Sequence, residues 1–390
     1  MTSEYFNTPQ MRKTRVVCIS DTHNQTPKLP KGDVLVHAGD LSNQGSYTEL
    51  KKTVDWLEKA NFEAKIVIAG NHDITLDTDF YKQHGSSWRW PKPQDPEQCQ
   101  KLFLESPSIT YLQNEAVSIY LSSPTGPQTC FKVFGSPCTP KLWNWAFQYD
   151  ATEASQLWNA IPLDTDIVVT HTPPKNHCDV SGRKEMSGCE VLRKALYRVR
   201  PMLSIFGHIH EARGVERVRW NMNSPGDGCL EDSVEVWKDP GVGNNKQSLV
   251  DLTAKGGRPL DNSSALTRHN KSFSLVSPSP MRDSGGEFTN LWPDGFNSTS
   301  RPEGSPAFDN EARGKAMLGG TIEDRQAPSM SDIGLVSKSD VEVDGRRRGQ
   351  LETCMINAAF MAGSWGGGHK RFNKPIVVDV DLPVWNELAA

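Results

Sequence analysis

Apolar positions in the first 220 residues fall into short unbroken runs separated by amphipathic stretches. "RVVCIS" (15–20), "DVLVHA" (33–38), "KIVIA" (65–69), "DIVVT" (166–170) and "MLSIF" (202–206) are rich in Val and Ile. Runs of this length without alternation predict strands covered on both faces. Between them the period lengthens. Leu50, Val54 and Leu57 recur at i, i+4 and i+7 behind Ser46-x-x-Glu49, a capping-box pattern for a helix start. Leu192, Ala195, Leu196 and Val199 form a second stripe, with Ser187-x-x-Glu190 ahead of it. Strands alternating with helices imply a layered α/β fold.

Beyond "RVRW" (217–220) the pattern thins, although "SVEVW" (233–237) and "KQSLVDLT" (246–253) keep enough of it to pack on a core. From about 254 to 349, Gly, Ser, Pro, Asn and charges dominate without periodicity. Such a composition buries too little apolar surface to offset the entropy of ordering. Order returns in "CMINAAFM" (354–361) and "KPIVVDVDLP" (374–383), which read as strands. The expected organisation is one domain, residues 12–253 and 350–390, interrupted by a disordered insertion over 254–349.

The residues just past the predicted strands are chemically uniform. "VVCIS" runs into Asp21-Thr22-His23, "VLVHAG" into Asp40, "IVIAG" into Asn71-His72-Asp73, "IVVT" into His171, and "LSIFG" into His208-Ile209-His210. In open α/β sheets, ligands bind beyond the carboxyl ends of the strands. Carboxylates, an amide and imidazoles gathered at that edge are donors suited to divalent metal. Any one of them alone reads as a turn or surface residue. The five together, in this order, read as a convergent site.

These residues carry a family resemblance. "DTH", "GD", "GNHD", "HTPP" and "GHIH" match the D-x-H, GD, GNH[DE], H and GHxH signature of calcineurin-like metallophosphoesterases. The flanking text "GDVLVHAGDLSNQG", "AKIVIAGNHD", "FGSPCTPKLWNWAF", "RVRPMLSIFGHIHEARG" and "MINAAF" resembles the metallophosphoesterase-domain-containing branch, whose members resemble cyclic-nucleotide phosphodiesterases. The resemblance implies a four-layer α/β/β/α sandwich of two mixed β-sheets. It implies two divalent ions (Mn, Fe or Zn) that lower the pKa of a bridging water for attack on a phosphate ester. Asp21, His23 and His210 would hold one ion, Asn71, His171 and His208 the other, and Asp40 would bridge them. His208 and His210, at i and i+2, would reach the site from one side of an extended segment. His72 would contact the phosphate and protonate the leaving oxygen, with Asp73 as the candidate to hold its ring. Gly70 would permit a tight turn. "GDLSNQG" lacks the GDxVDRG extension of protein phosphatases, and Glu211-Ala212-Arg213-Gly214 replaces the branch's E-G-Y-G. His208 stands where some poorly active relatives carry Gly.

The expected activity is therefore phosphodiester hydrolysis of a small organic phosphate such as a cyclic nucleotide. A phosphomonoesterase, a nuclease and a non-catalytic scaffold are the alternatives. A net charge of −4 gives no general pull toward nucleic acid or acidic lipid. No stretch approaches the roughly 20 apolar residues of a membrane span, and the N-terminus lacks a signal-peptide core. The eight cysteines lack CxxC spacing and read as free thiols of a cytoplasmic protein. His37, inside a strand, reads as a hydrogen-bonded core residue. His177, Arg183 and Arg213 read as solvated loop residues, with contact to the substrate phosphate or base as the equal alternative. Trp143, Trp145 and Phe147 read as core packing, with a nucleobase wall as the alternative. The insertion reads first as an inert spacer, with Ser-Pro pairs at 277, 279 and 305 as phosphorylation points of a protein-partner surface the alternative. "GRRRG" (345–349) is too short to signal more than a basic turn.

Overall fold

The computed structural model describes residues 10–222, 230–262, 349–363 and 371–385. Six strands make one sheet: β1 (Met11–Ile19), β2 (Val34–Ala38), β3 (Ala64–Ile68), β4 (Thr110–Tyr111), β13 (Ser248–Leu252) and β15 (Ile376–Pro383), in the order β13-β15-β1-β2-β3-β4. Seven make a second: β5 (Glu115–Tyr120), β6 (Cys130–Ser136), β9 (Ile167–Thr170), β10 (Leu203–Phe206), β11 (Gly214–Trp220), β12 (Glu231–Val236) and β14 (Glu352–Asn357), in the order β12-β11-β14-β10-β9-β6-β5. Both sheets are mixed. β1, β2, β3 and β4 run parallel while β15 opposes β1. β6, β9, β10 and β14 run parallel while β5 and β11 oppose their neighbours. Short β7 (Thr139–Pro140) and β8 (Gln148–Tyr149) pair separately.

Strand periodicity explains the layering, because alternate side chains leave opposite faces of a sheet. Val16, Cys18, Val34, Val36, Ile66 and Ile68 share a core with Val133, Ile167, Val169, Ile205 and Ile356 of the other sheet. Their neighbours Val17, Ile19, Leu35 and Val67 face outward onto Leu50, Val54 and Leu57 of α1 (Tyr47–Lys59) and Cys99 and Phe103 of α3 (Pro96–Leu104). Behind the second sheet, Val168, Phe206 and Met355 meet Trp158 of α4 (Ala154–Asn159) and Leu192, Leu196 and Val199 of α5 (Glu190–Val199). Helix, sheet, sheet and helix thus form four layers around three apolar clusters, each buried Leu or Ile contributing about 1.5–3 kcal/mol.

Several boundaries differ from expectation. α1 carries the predicted capping box, but α5 is capped by Cys189, whose Sγ accepts from the Leu192 amide. Ser187 cannot cap because the chain is still tied laterally there: Ser187 N donates to Asp179 O and Cys189 N to Pro173 O. The "CMINAAFM" strand covers Glu352–Asn357 and stops short of Phe360. Residues 254–262, expected in the insertion, are ordered against the second sheet. Arg217 donates to the carbonyls of Arg258 and Pro259, and Asn262 caps the start of β14 through the Leu351 and Glu352 amides. The rest of the expected insertion, including the Ser-Pro pairs and most of "GRRRG", lies outside the described residues. β14 and β15 are interior strands, so both sheets close only with chain from beyond it.

Candidate metal centre

β1, β2 and β3 of one sheet and β9 and β10 of the other end near a common edge, and the predicted donors follow each of them. The chain turns there through backbone conformations that L-residues seldom adopt. Asp21, His23, Asp40 and His208 have φ of 54°, 43°, 52° and 68°. Such conformations cost of order 1–3 kcal/mol each and persist where the surroundings impose them. Two glycines allow the crowding. A Cβ on Gly70 would lie 2.3 Å from Asp40 Oδ1, and one on Gly207 would lie 2.2 Å from Asp21 Oδ2. The tight turn expected at Gly70 forms, Asp73 N donating to Gly70 O, and the missing Cβ also permits the close approach to Asp40.

Asp40 stands at the centre. Its Oδ2 is 3.6 Å from His23 Nε2 and its Oδ1 is 3.2 Å from His171 Nε2. On the first side, Asp21, His23, Asp40 and His210 bring ligand atoms within 4.8 Å of one another, and all four are buried. His23 Nε2 is 3.2 Å from His210 Nε2, which is 3.3 Å from Asp21 Oδ1. On the second side, His171 Nε2 is 3.1 Å from Asn71 Oδ1, and the His208 ring lies 5.1 Å from that of His171. His208 and His210 reach the two sides through a turn, not an extended strand: Ile209 N donates to Gly207 O, and His210 opens a short 3-10 segment.

Three imidazoles have their outer nitrogen tied to backbone. Nδ1 of His23, His171 and His210 lies 3.2, 2.8 and 3.1 Å from the carbonyls of Ser42, Ala38 and Gly363. A carbonyl only accepts, so each Nδ1 carries a proton and each Nε2 faces the centre, the orientation of metal-ligating histidines. The electrostatics register the negative charge gathered at this point. Burial alone would hold His171 and His210 neutral, yet Asp40 beside the first and Asp21 beside the second push each up to about 9. Burial works against the charge on Asp21, but His210 brings its carboxyl down to about 2. Burial holds His23 down to about 4 despite Asp40. Two desolvated carboxylates here require compensating positive charge. A hard or borderline divalent cation fits that requirement and the oxygen–imidazole donor set.

Comparison with known proteins gives the family. A family model described as calcineurin-like phosphoesterase matches residues 14–212, half of the chain. The chain belongs to the calcineurin-like phosphoesterase family. Within it, metallophosphoesterase domain-containing protein 1 of Homo sapiens is 38% identical over 214 residues, 52% of this chain and 62% of that one. A UPF0046 protein of Caenorhabditis elegans is 36% identical over 203 residues, 52% of this chain and 65% of that one. A protein named probable rhamnogalacturonate lyase C, from Emericella nidulans, is 42% identical over 225 residues, 57% of this chain. The match spans 20% of that protein, too little for its lyase name to bear on this one. The chain thus covers less than two thirds of each of these relatives.

Other residues of this family member fall into place around the cluster. His72 lies beside it: its amide donates to Asp40 Oδ1 at 2.9 Å and its Nδ1 lies 2.9 Å from Asn43 O. Asp73 does not hold the His72 ring. Its fully buried carboxylate accepts from Leu41 N, Ser42 N, Ser42 Oγ and Gly70 N at 2.6–3.1 Å. The turn after β3 sends neighbouring side chains in different directions, and the Asn43 carbonyl takes the role expected of Asp73. Burial and the charge of Asp40 push the Asp73 carboxyl up to about 7, against those donors. His37 packs in β2 with Nε2 2.9 Å from Thr22 Oγ1, and burial holds it neutral.

The aromatic trio splits. Phe147 is buried, Trp143 is 73% exposed, and Trp145 packs on His72 and Trp88. Trp145 is half-buried by these contacts. Arg183 is exposed, and Arg213 is bound to Asp239 and the Lys374 carbonyl. Sequence reasoning missed Ala38, Ser42, Asn43 and Gly363 because a carbonyl acceptor leaves no trace in residue type.

His177 is buried between two carboxylates, with Nδ1 2.8 Å from Glu216 and Nε2 3.1 Å from Glu231. Burial opposes its charge, but those two bonds raise its pKa. A histidine raised on folding contributes stability that is fully present below its unfolded value, about 6.5, and is lost as pH rises through the folded value. His177→Gln should cost roughly 1.5–3 kcal/mol at pH 6 and flatten the fall in melting temperature above pH 6.5. An unchanged slope in melts of the metal-loaded protein across that range would refute the clasp.

Proposed function

We propose that this chain is a dinuclear-metal-dependent phosphodiesterase of small organic phosphates, cyclic nucleotides being the leading class. The observation that carries the reading is Asp40, one carboxylate whose two oxygens face two separate donor clusters. Asp21, His23 and His210 would hold one cation and Asn71, His171 and His208 the other, with Asp40 shared; Mn, Fe and Zn all suit these donors. Bound there, the cations would neutralise phosphate oxygens and acidify a water. The protein's own part is to fix that geometry and to move a proton. With Nδ1 of His72 donated to Asn43, proton exchange with the leaving oxygen falls to Nε2. Asn71 contributes a neutral oxygen, so negative charge at the site does not grow further.

A diester is favoured over a monoester by charge. A phosphate monoester dianion calls for additional cations, and Arg213 is already committed to Asp239. A nuclease would need a basic groove along the backbone, and a net charge of −4 does not favour one. The test is a rate comparison with purified protein loaded with Mn²⁺, Fe²⁺ or Zn²⁺, on cyclic nucleotides, linear diesters and monoesters. The expected order places a diester first in kcat/KM, with activity abolished by chelation. Faster turnover of monoesters, or activity that survives chelation, would overturn the reading.

A further inference from the structure

An aromatic train leads away from the site. The indole of Trp145 covers the His72 imidazole, with ring centroids 4.1 Å apart and planes 37° apart. Trp88 lies against Trp145 at 4.9 Å, Trp90 is stacked with Trp88 at 6.3 Å, and Tyr81 meets Trp90 at 5.5 Å. His23 also meets the His72 ring, edge-on at 4.8 Å. Trp145 sits in the loop between β7 and β8, which is held at both ends. Thr139 N donates to Phe147 O, and Phe147 N donates to Asp77 Oδ2 at 2.8 Å. Asp77 also caps α2 (Thr78–His84), the helix that leads into the Trp88–Trp90 segment. Trp143 and Phe147 take φ of 61° and 55°, a cost that the loop bears while presenting Trp145 inward.

A proton donor must bring its nitrogen within about 2.6–3.2 Å of the leaving oxygen, and a 1 Å misplacement can cost about 10²-fold. A hydrogen bond at Nδ1 fixes a point on the imidazole but leaves it able to swing about that bond. A ring packed against it, as Trp145 is at a 37° tilt, restrains that motion. We infer that Trp145, backed by Trp88, is the positioning residue that orients His72 for proton transfer. This rests on the reading of His72 as proton donor. Trp145 acts through His72 and does not itself touch the reacting atoms.

The test uses metal-loaded full-length protein and two diester classes, one with an alkyl leaving group and one with a nitrophenyl leaving group that needs little protonation. Trp145→Ala should lower kcat on the alkyl diester by about 10–100-fold and on the nitrophenyl diester by less than about 3-fold, with KM and metal content held. Trp145→Phe, which keeps a ring at the position, should recover most of the loss. In a His72→Ala background, Trp145→Ala should cause no further loss on the alkyl diester. Equal losses on both leaving groups, full additivity with His72→Ala, or no rescue by Trp145→Phe would overturn the inference. Should Trp145→Ala fail to fold, Trp88→Leu, which loosens the same packing from behind, gives the same leaving-group comparison. A His72→Ala protein that treats both leaving groups alike would instead refute the donor reading itself.

Discussion

On the proposed dinuclear reading, Asp40→Asn is expected to lower kcat/KM by about 10³-fold or more and to release both cations. The size follows from what one carboxylate does here. Its two oxygens reach His23 on one side and His171 on the other. An amide offers one neutral oxygen and one NH₂ group, so one side loses its acceptor and both lose the charge. Losing several kcal/mol of Lewis-acid stabilisation corresponds to about three decades in rate. The change also removes the charge that helps push His171 and Asp73 up. Metal content should fall together with rate. His37→Ala is the control: it empties a buried position of β2 near the same edge, so it should cost stability yet leave metal content intact. Elemental analysis and diester kinetics on both variants decide the matter. An Asp40→Asn protein with two equivalents of metal and wild-type rate would remove the shared-carboxylate reading.

The different positions of those two residues, one beyond β2 and one inside it, were legible in the sequence, and the reason is physical. Asp21, Asp40, Asn71, His171 and His208 each interrupt an apolar run at its carboxyl end, where a buried strand has no use for a charge or an imidazole. His37 lies within such a run, one turn of the pleat too early to reach the edge. The layers were legible too, because Val16 to Ile19 and Leu50 to Leu57 carry the periods of strand and helix. Interactions through the main chain were not. The carbonyls of Ala38, Ser42, Asn43 and Gly363 orient four histidines, and any residue supplies a carbonyl. Cys189 as a helix cap escaped for a related reason: Ser187 had the better side chain but sits where lateral pairing keeps the chain extended. The early start of β1 escaped because "MRKT" is polar. Its register against β15, Met11 to Pro383, and the Thr14–Thr129 hydrogen bond draw it into the sheet.

Asp73 is the position where adjacency misled most, and it carries the second large effect. Its carboxylate gathers the amides of Leu41, Ser42 and Gly70 and the Ser42 hydroxyl. Those groups flank Asp40 on one strand end and Asn71 on the other. Removing the acceptor leaves three buried amides without a partner, at about 1–3 kcal/mol for each unsatisfied group. Since the loops relax, Asp73→Ala should cost about 3–5 kcal/mol in all, the range for breaking a buried charged network. The melting temperature should drop by roughly 10 °C. Asp73→Asn should lose less but still more than a surface change, because its NH₂ group must face a donor. Ser42→Ala removes one of the four donors and breaks the bond from Gly45 N to Ser42 Oγ. Combined with Asp73→Asn it should cost less than the two changes added separately, since both act on one network. Thermal melts of the metal-free and metal-loaded protein separate this role from catalysis. A residue that only holds the scaffold loses stability in both states, and metal affinity falls because Asp40 and Asn71 are no longer held in register. Wild-type melting in Asp73→Ala, with activity lost, would return Asp73 to the chemistry and take it out of the scaffold.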